Sequence, residues 1–281
     1  MKPETVEDLE IRLLLEGIHH IYGYDFREYA QSSIKRRLTH WLAESEFGTF
    51  SEAQSRLLRE RSLFEDLLRT ITVNVTEMFR DPAFFKSVRE QVVPFLKTYP
   101  FVKIWHAGCA TGEEAYSMAI LLNEEGMVGR YRIYATDINE TVLDKAEEGV
   151  MPLAQMQRFT RNYQQSGGAA SFANYYSARH DHAILNPSLK QDIVFSPHNL
   201  ATDAAFGEMN MVLCRNVMIY FKHSLKERCL QLFDDSLRAG GFLCLGLKET
   251  LATKEINATY EELAPPLRIY RKRYLTQAET R

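Results

Sequence analysis

The stretch Lys103-Ile104-Trp105-His106-Ala107-Gly108-Cys109-Ala110-Thr111-Gly112-Glu113-Glu114 constrains the fold more than any other part of this chain. A short apolar run ends in two glycines four apart, and a pair of acids opens a helical segment. This reads as strand, tight turn and helix N-terminus, an arrangement that presents backbone N–H groups to a ligand. Twenty-five residues past Gly112 a second strand-like run, Arg132-Ile133-Tyr134-Ala135-Thr136, reaches Asp137. That acid stands where a nucleotide ribose would lie. Together the two runs predict a pocket for a nucleoside-bearing cofactor. Gly108 and Gly112 are spaced GxxxG, which disfavours the GxGxxG loop of a dinucleotide dehydrogenase.

The rest of the chain divides in two. Residues 1 to about 80 read as all-helical. Val6, Leu9, Leu13, Leu14, Ile18 and Ile21 recur at helical spacing up to Gly23. Tyr29, Ile34, Leu38, Trp41 and Leu42 form a second stripe, and Leu57, Leu63, Phe64, Leu67 and Leu68 continue the pattern. From about residue 100, short apolar runs of strand length alternate with helical segments. The runs are 104–107, 133–136, 193–196, 211–214 and 242–245; the helices include 116–124 and 225–237. Such alternation predicts a parallel sheet covered by helices on both faces. Residues 150–192 break it and read as an insertion with a few antiparallel strands. Leu267 to Tyr274 alternates apolar and basic residues, as a half-exposed strand does.

Bulk properties exclude several classes. A net charge of −3 gives no reason to expect a nucleic-acid partner. No apolar run reaches the roughly 20 residues a membrane span needs, and the first residues lead into no signal-peptide core. The four cysteines, Cys109, Cys214, Cys229 and Cys244, form no CxxC pair, which reads as a reduced, cytosolic protein. His19-His20 and His180-x-His182 lack further ligands at matching spacing, so no metal is expected. Monomer is the expected state.

Five motifs, in order, carry a resemblance. They are Asn74-Val75-Thr76-Glu77-Met78-Phe79-Arg80, Ala107 to Glu114, Ala135-Thr136-Asp137-Ile138, Asn199-Leu200, and Cys214-Arg215-Asn216-Val217-Met218-Ile219-Tyr220-Phe221. With them the chain resembles the CheR family of chemotaxis-receptor glutamate methyltransferases over nearly its whole length. The resemblance implies a Rossmann-like α/β methyltransferase sheet with a small antiparallel insertion, preceded by an all-α domain. It puts the helical domain at 1–80, a linker at about 74–90, and the S-adenosyl-L-methionine domain at 91–281 with its insertion at about 155–195. Asn74, Thr76 and Arg80 would close over the cofactor, and Gly108, Glu114 and Asp137 would hold it from the core. Asn199, Leu200, Arg215 and Asn216 would line its two ends. Arg80 and Tyr220 would lie nearest the transferred methyl. The implied partners are the cytoplasmic methylation helices of chemoreceptors.

Two departures bear on the substrate. The family's usual Gly-His-Ser-Glu is Gly246-Leu247-Lys248-Glu249 here, and Ala115 replaces a common proline. Between Asn174 and Val194 there is no glycine, whereas members that capture a receptor pentapeptide use a glycine-containing loop in the insertion. Direct recognition of the methylation helix is therefore expected. The chemistry asks for no base, because a glutamate is already ionised at neutral pH. Arg80 suits the steering of a carboxylate through its planar fork, and Tyr220 could fix Arg80 or the substrate by a hydroxyl hydrogen bond. Lys35-Arg36-Arg37 would suit a glutamate-rich helix or be a solvated face. A methyltransferase for another target and a cofactor-binding signalling adaptor are the alternatives.

Overall fold

The structure is a computed structural model describing residues 5–72, 76–251 and 258–274. Four helices come first: Val6–Tyr22 (α1), Gln31–Glu44 (α2), Phe50–Leu57 (α3) and Arg61–Ile71 (α4). Their ends follow local chemistry. The Thr5 hydroxyl caps α1 by accepting from the Asp8 N–H, and Gly23, at φ 78°, closes its other end. Thr49 and Glu52 form a reciprocal capping box on α3. The third apolar stripe, continuous in sequence, is interrupted by a turn at Leu58–Glu60 and so belongs to two helices. Ile11, Leu14, Ile18, Phe26, Leu38, Trp41, Phe64 and Leu67 fill a separate core among these helices.

A helical run follows as Pro82–Ser87 (α5), a wider π-helical turn at Val88–Val92, and Val93–Leu96 (α6). Then strands and helices alternate: Val102–Ala107 (β1), Glu113–Glu124 (α7), Tyr131–Asp137 (β2) and Glu140–Glu148 (α8). The insertion holds Val150–Pro152 (β3), Met156–Gln165 (α9), Tyr176–Arg179 (β4) and His182–Leu185 (β5). The main sheet resumes with Ile193–Pro197 (β6), Met209–Cys214 (β7), His223–Ser236 (α10), Leu237–Leu245 (β8), Tyr260–Ala264 (β9) and Ile269–Lys272 (β10).

The large sheet has the order β6-β2-β1-β7-β8-β10-β9. Only β10 opposes its neighbours: β6, β2, β1, β7 and β8 pair in parallel, while β10 pairs antiparallel with both β8 and β9. Successive residues feed opposite faces. Ile104, Met211, Leu213 and Ile269 enter one core and Trp105, Val212, Cys214 and Tyr270 the other. This burial on both faces explains why the strands read as continuous apolar runs.

Two expectations need correction. The strand at 267–274 is shorter and not half-exposed: Ile269 and Tyr270 are both buried, because β10 lies inside the sheet with cores on both faces. Strand β8 starts at Leu237, ahead of the expected 242. Gly240 and Gly241 interrupt the apolar pattern, yet the strand runs through them with a register shift opposite Met209–Met211. The insertion forms a second, antiparallel sheet of order β3-β5-β4, and its first strand already begins at Val150. Tyr175, just ahead of β4, donates its hydroxyl to Glu124 on α7, which Tyr163 also reaches. No helix among the described residues is long and apolar enough to cross a membrane.

Candidate active site

In a parallel sheet of this kind, ligands bind beyond the carboxyl ends of the strands where strand order reverses. Here that point lies above β1, between β2 and β7. As β1 ends, the N–H groups of Gly108 and Cys109 both donate to the Thr136 carbonyl. Gly108 takes φ 80°, and a Cβ there would stand 2.5 Å from Val217 Cγ2. Only glycine permits both. Gly112, at φ 87°, opens α7. The Asp137 carboxylate, at the end of β2, accepts from the N–H of Ala110 (2.9 Å) and of Asn139 (3.0 Å). Burial raises its carboxyl above the ordinary 3.8 despite these two bonds. An ionised carboxylate has about four lone-pair sites, so acceptor capacity is left for hydroxyl donors.

Asp137 lines one lobe of a cleft together with Gly108, Ile138, His198, Asn199, Leu200, Asn216 and Tyr220. The Asn199 side-chain oxygen accepts from the Ala201 N–H at 2.9 Å, which commits it to its own turn. Its amide NH₂ is then the group available to a ligand. Ile138 and the buried Leu200 supply apolar surface for a flat ring.

The second lobe is lined by Thr76, Arg80, Gly108, Cys109, Ala110, Glu114, Arg215, Asn216, Val217 and Tyr220. A charged cluster underlies it. Arg215, with 1% of its side chain exposed, donates to Glu114 at 2.8 Å and to Asp81 at 2.7 Å. Its guanidinium lies 3.9 Å from the Phe84 ring centroid. His106 Nδ1 reaches the other Glu114 oxygen at 3.0 Å. Burial alone would raise the Glu114 carboxyl, but the Arg215 charge and the His106 bond outweigh it and hold Glu114 well below the usual carboxylate range. Asn216, at φ 63°, has its buried side-chain oxygen without a hydrogen-bond partner. An unpaired buried acceptor is costly, and here it borders a cavity where a ligand N–H could satisfy it.

The helical domain forms the outer wall of the first lobe through Tyr29, Ser33, Ile34, Arg37, Ile71 and Thr72. It is fastened to the catalytic side by backbone bonds. The Ala30 N–H donates to the Tyr220 carbonyl (2.7 Å) and the Lys222 N–H to the Glu28 carbonyl (2.8 Å), with the Tyr29 and Phe221 rings 4.9 Å apart. Arg37 sits over the Tyr220 ring, its guanidinium carbon 5.3 Å from the centroid. It meets no carboxylate among the described residues, and burial lowers its pKa from the usual value.

Of the residues the sequence singled out, Thr76, Arg80, Gly108, Glu114, Asp137, Asn199, Leu200, Arg215, Asn216 and Tyr220 all border this bipartite cleft. Asn74 lies outside the described residues. Of the two hydrogen-bond partners expected for Tyr220, Arg80 or the substrate, Arg80 is not bonded to it among the described residues, and Arg37 covers the tyrosine ring. Glu114 and Arg215 were expected as separate contacts and are paired with each other. The basic triplet on α2 is divided: Lys35 is bound 2.7 Å from Asp8, Arg36 is exposed, and only Arg37 reaches the cleft. Sequence reading missed Asp81, His106, Arg37 as a cleft residue, and Glu249, whose buried carboxylate binds three backbone N–H groups around the loop that follows β7. The glutamate kept from the expected Gly-His-Ser-Glu was the available signal for the last.

Residues 74–264 match the family described as CheR methyltransferase, SAM binding domain, and residues 9–72 the family described as CheR methyltransferase, all-alpha domain. A Pseudomonas putida protein named Cher3, provisionally styled a methyltransferase, is 48% identical over 272 residues, covering 97% of this chain and all of that one. A chemotaxis protein methyltransferase of Listeria innocua is 30% identical over 231 residues, 82% of this chain and 85% of its own. A chemotaxis protein methyltransferase 2 of Pseudomonas aeruginosa is 29% identical over 240 residues, 83% of this chain and 84% of its own.

Proposed function

Because the chain belongs to the CheR methyltransferase family, we propose that it methylates glutamate side chains of chemoreceptors, using S-adenosyl-L-methionine to form glutamyl methyl esters. The observation that carries this reading is a bipartite cleft whose lobes meet at Asn216 and Tyr220, one lined by Asp137 and Arg37 and the other by Glu114 and Arg80. The residues fit the cofactor that the domain binds. Asp137 would take the ribose hydroxyls, and Asn199, Ile138 and Leu200 the base. Asn216 would accept from the ammonium through its unpaired oxygen, beside Glu114.

S-adenosyl-L-methionine supplies, when bound, an electrophilic methyl carbon on a sulfonium. The chain's own task is to bring a carboxylate into line with it. Such alignment can supply roughly 7–11 kcal/mol of a barrier, and the acceptor needs no base at neutral pH. Arg80 makes no ion pair among the described residues, so its fork is open to orient an incoming carboxylate. Arg37 from the helical side and Tyr220 from the loop after β7 meet across the cleft.

We further propose that the receptor helix is read directly, without a tethering pentapeptide. Supporting this, the β4–β5 turn is made by His180-Asp181 with His180 at φ 52°, where the tethering members have a glycine-containing loop.

The test is transfer of labelled methyl from S-adenosyl-L-methionine to a receptor cytoplasmic fragment, with Asp137→Ala as control. Base-labile label on glutamate, absent in the control, is the expected result. Binding of S-adenosylhomocysteine without any transfer to the fragment would overturn the receptor-glutamate assignment.

A further inference from the structure

The loop after β7 carries both Asn216 and Tyr220 to the seam shared by the two lobes, and nothing in its own sequence explains how it is held. Asn216 takes the left-handed conformation, and a short 3₁₀ turn, Met218–Tyr220, follows. The N–H groups of Asn216 and Ile219 find their acceptor in a side chain from beyond β8. One oxygen of Glu249, Oε2, accepts from Asn216 (3.0 Å) and Gly246 (2.7 Å); the other, Oε1, accepts from Ile219 (3.2 Å). Glu249 is 5% exposed. At Gly246 a Cβ would stand 2.7 Å from both the Asn216 nitrogen and Glu249 Oε2, so a glycine is what lets carboxylate and loop meet. Between them Leu247 and Lys248 are exposed; the tetrapeptide acts through its two ends.

We propose that Glu249 is a positioning residue for methyl transfer, setting Asn216 toward the cofactor through Oε2 and Tyr220 toward the methyl acceptor through Oε1. The inference rests on the reaction proposed above. An ionised carboxylate accepts at both oxygens with no proton of its own to place; burial pushes the Glu249 carboxyl up, and the N–H groups of Gly246, Asn216 and Ile219 oppose that shift. Its underside grip is matched from outside by the Ala30 N–H on the Tyr220 carbonyl, so the loop is pinned between the sheet domain and the helical domain.

Glu249→Gln separates the two arms, because glutamine keeps the shape but makes one oxygen an NH₂. With its oxygen toward Asn216 and Gly246, which offer two donors, its nitrogen opposes the Ile219 N–H. The expected result is a kcat lower by about tenfold, a size typical for one lost charge-assisted bond, with the Kd for S-adenosylhomocysteine within about twofold of wild type. Hydrogen exchange should quicken at residues 218–220 alone. Glu249→Ala should weaken both kcat and Kd. Unchanged kcat in Glu249→Gln would overturn the proposal. So would equal losses in kcat and Kd with faster exchange across the whole domain, the signature of a merely structural glutamate. If glutamine prevents folding, Glu249→Asp decides: it keeps the charge but withdraws it by one methylene, and the same split is expected, wild-type kcat being the refuting result. Wild-type protein that binds S-adenosylhomocysteine but transfers no methyl counts against the proposed reaction alone, and exchange and binding still judge Glu249.

Discussion

Replacing Arg215 by methionine should remove more stability than any surface charge change, and the loss should be partly reversible by a second substitution. Arg215 is 1% exposed and forms ion pairs of 2.8 and 2.7 Å with Glu114 and Asp81. Methionine retains apolar volume against Phe84, so packing is largely conserved while both carboxylates lose their cation. Breaking a buried pair by removing one partner costs about 3–5 kcal/mol, because the other charge stays buried and uncompensated. Against a typical domain stability of about 5–15 kcal/mol, that is about a fifth of the total or more. The partners are unequal: the Glu114 side chain is 17% exposed and Asp81 29%, so Glu114 should carry most of the penalty. Adding Glu114→Gln should then recover about 2 kcal/mol, a double-mutant coupling in the range of contacting buried pairs. The assay is urea unfolding at pH 7, with the slope checked for constancy. The pH arm follows from the sign of the shift. A carboxyl held below its ordinary 4.5 stabilises the fold above that pH and loses its contribution as acid protonates it. Wild type should lose this term on acidification, and Arg215→Met should have little of it left to lose. A single-variant loss under ~1 kcal/mol, or a coupling under ~0.5 kcal/mol, would refute the reasoning.

Other expectations follow from the same geometry. Affinity for S-adenosylhomocysteine, measured calorimetrically, should fall on acidification with a midpoint above 3.8, because burial raises Asp137 and only its ionised form accepts freely; Asp137→Asn should bind weakly and without that dependence. Gly108→Ala should weaken the same ligand by about tenfold or more, since its Cβ meets Val217 and its φ is left-handed. Adding Val217→Ala should restore only part of the loss, as the backbone strain persists. Arg37→Ala should lower kcat/KM for a receptor fragment by about tenfold through lost alignment at Tyr220 while ligand Kd changes by less than about threefold; equal losses in both would make Arg37 a cofactor residue.

What could be read from the sequence was what depends on the backbone. Gly108, Gly112 and Asp137 were legible because a tight turn and an end-of-strand acid leave their mark within a few residues. The parallel strands were legible because burial on both faces makes continuous apolar runs, and β8 was misjudged only where Gly240 and Gly241 interrupt one. The electrostatics were not legible. Asp81 meets Arg215 across 134 positions, and Glu249 meets Asn216 across 33; no local pattern marks such pairs. The α2 triplet shows the same limit. Its three cations look alike in sequence, yet their angular positions send one to Asp8, one to solvent and one to Tyr220.

The most direct test of the account is a crystal structure with S-adenosylhomocysteine. It should show the ribose hydroxyls on Asp137, the amino-acid end beside Glu114 with its ammonium donating to Asn216 Oδ1, and the sulfur facing Tyr220 and Arg80. A ligand bound away from Asp137, or one that leaves Asn216 Oδ1 without a partner, would contradict it.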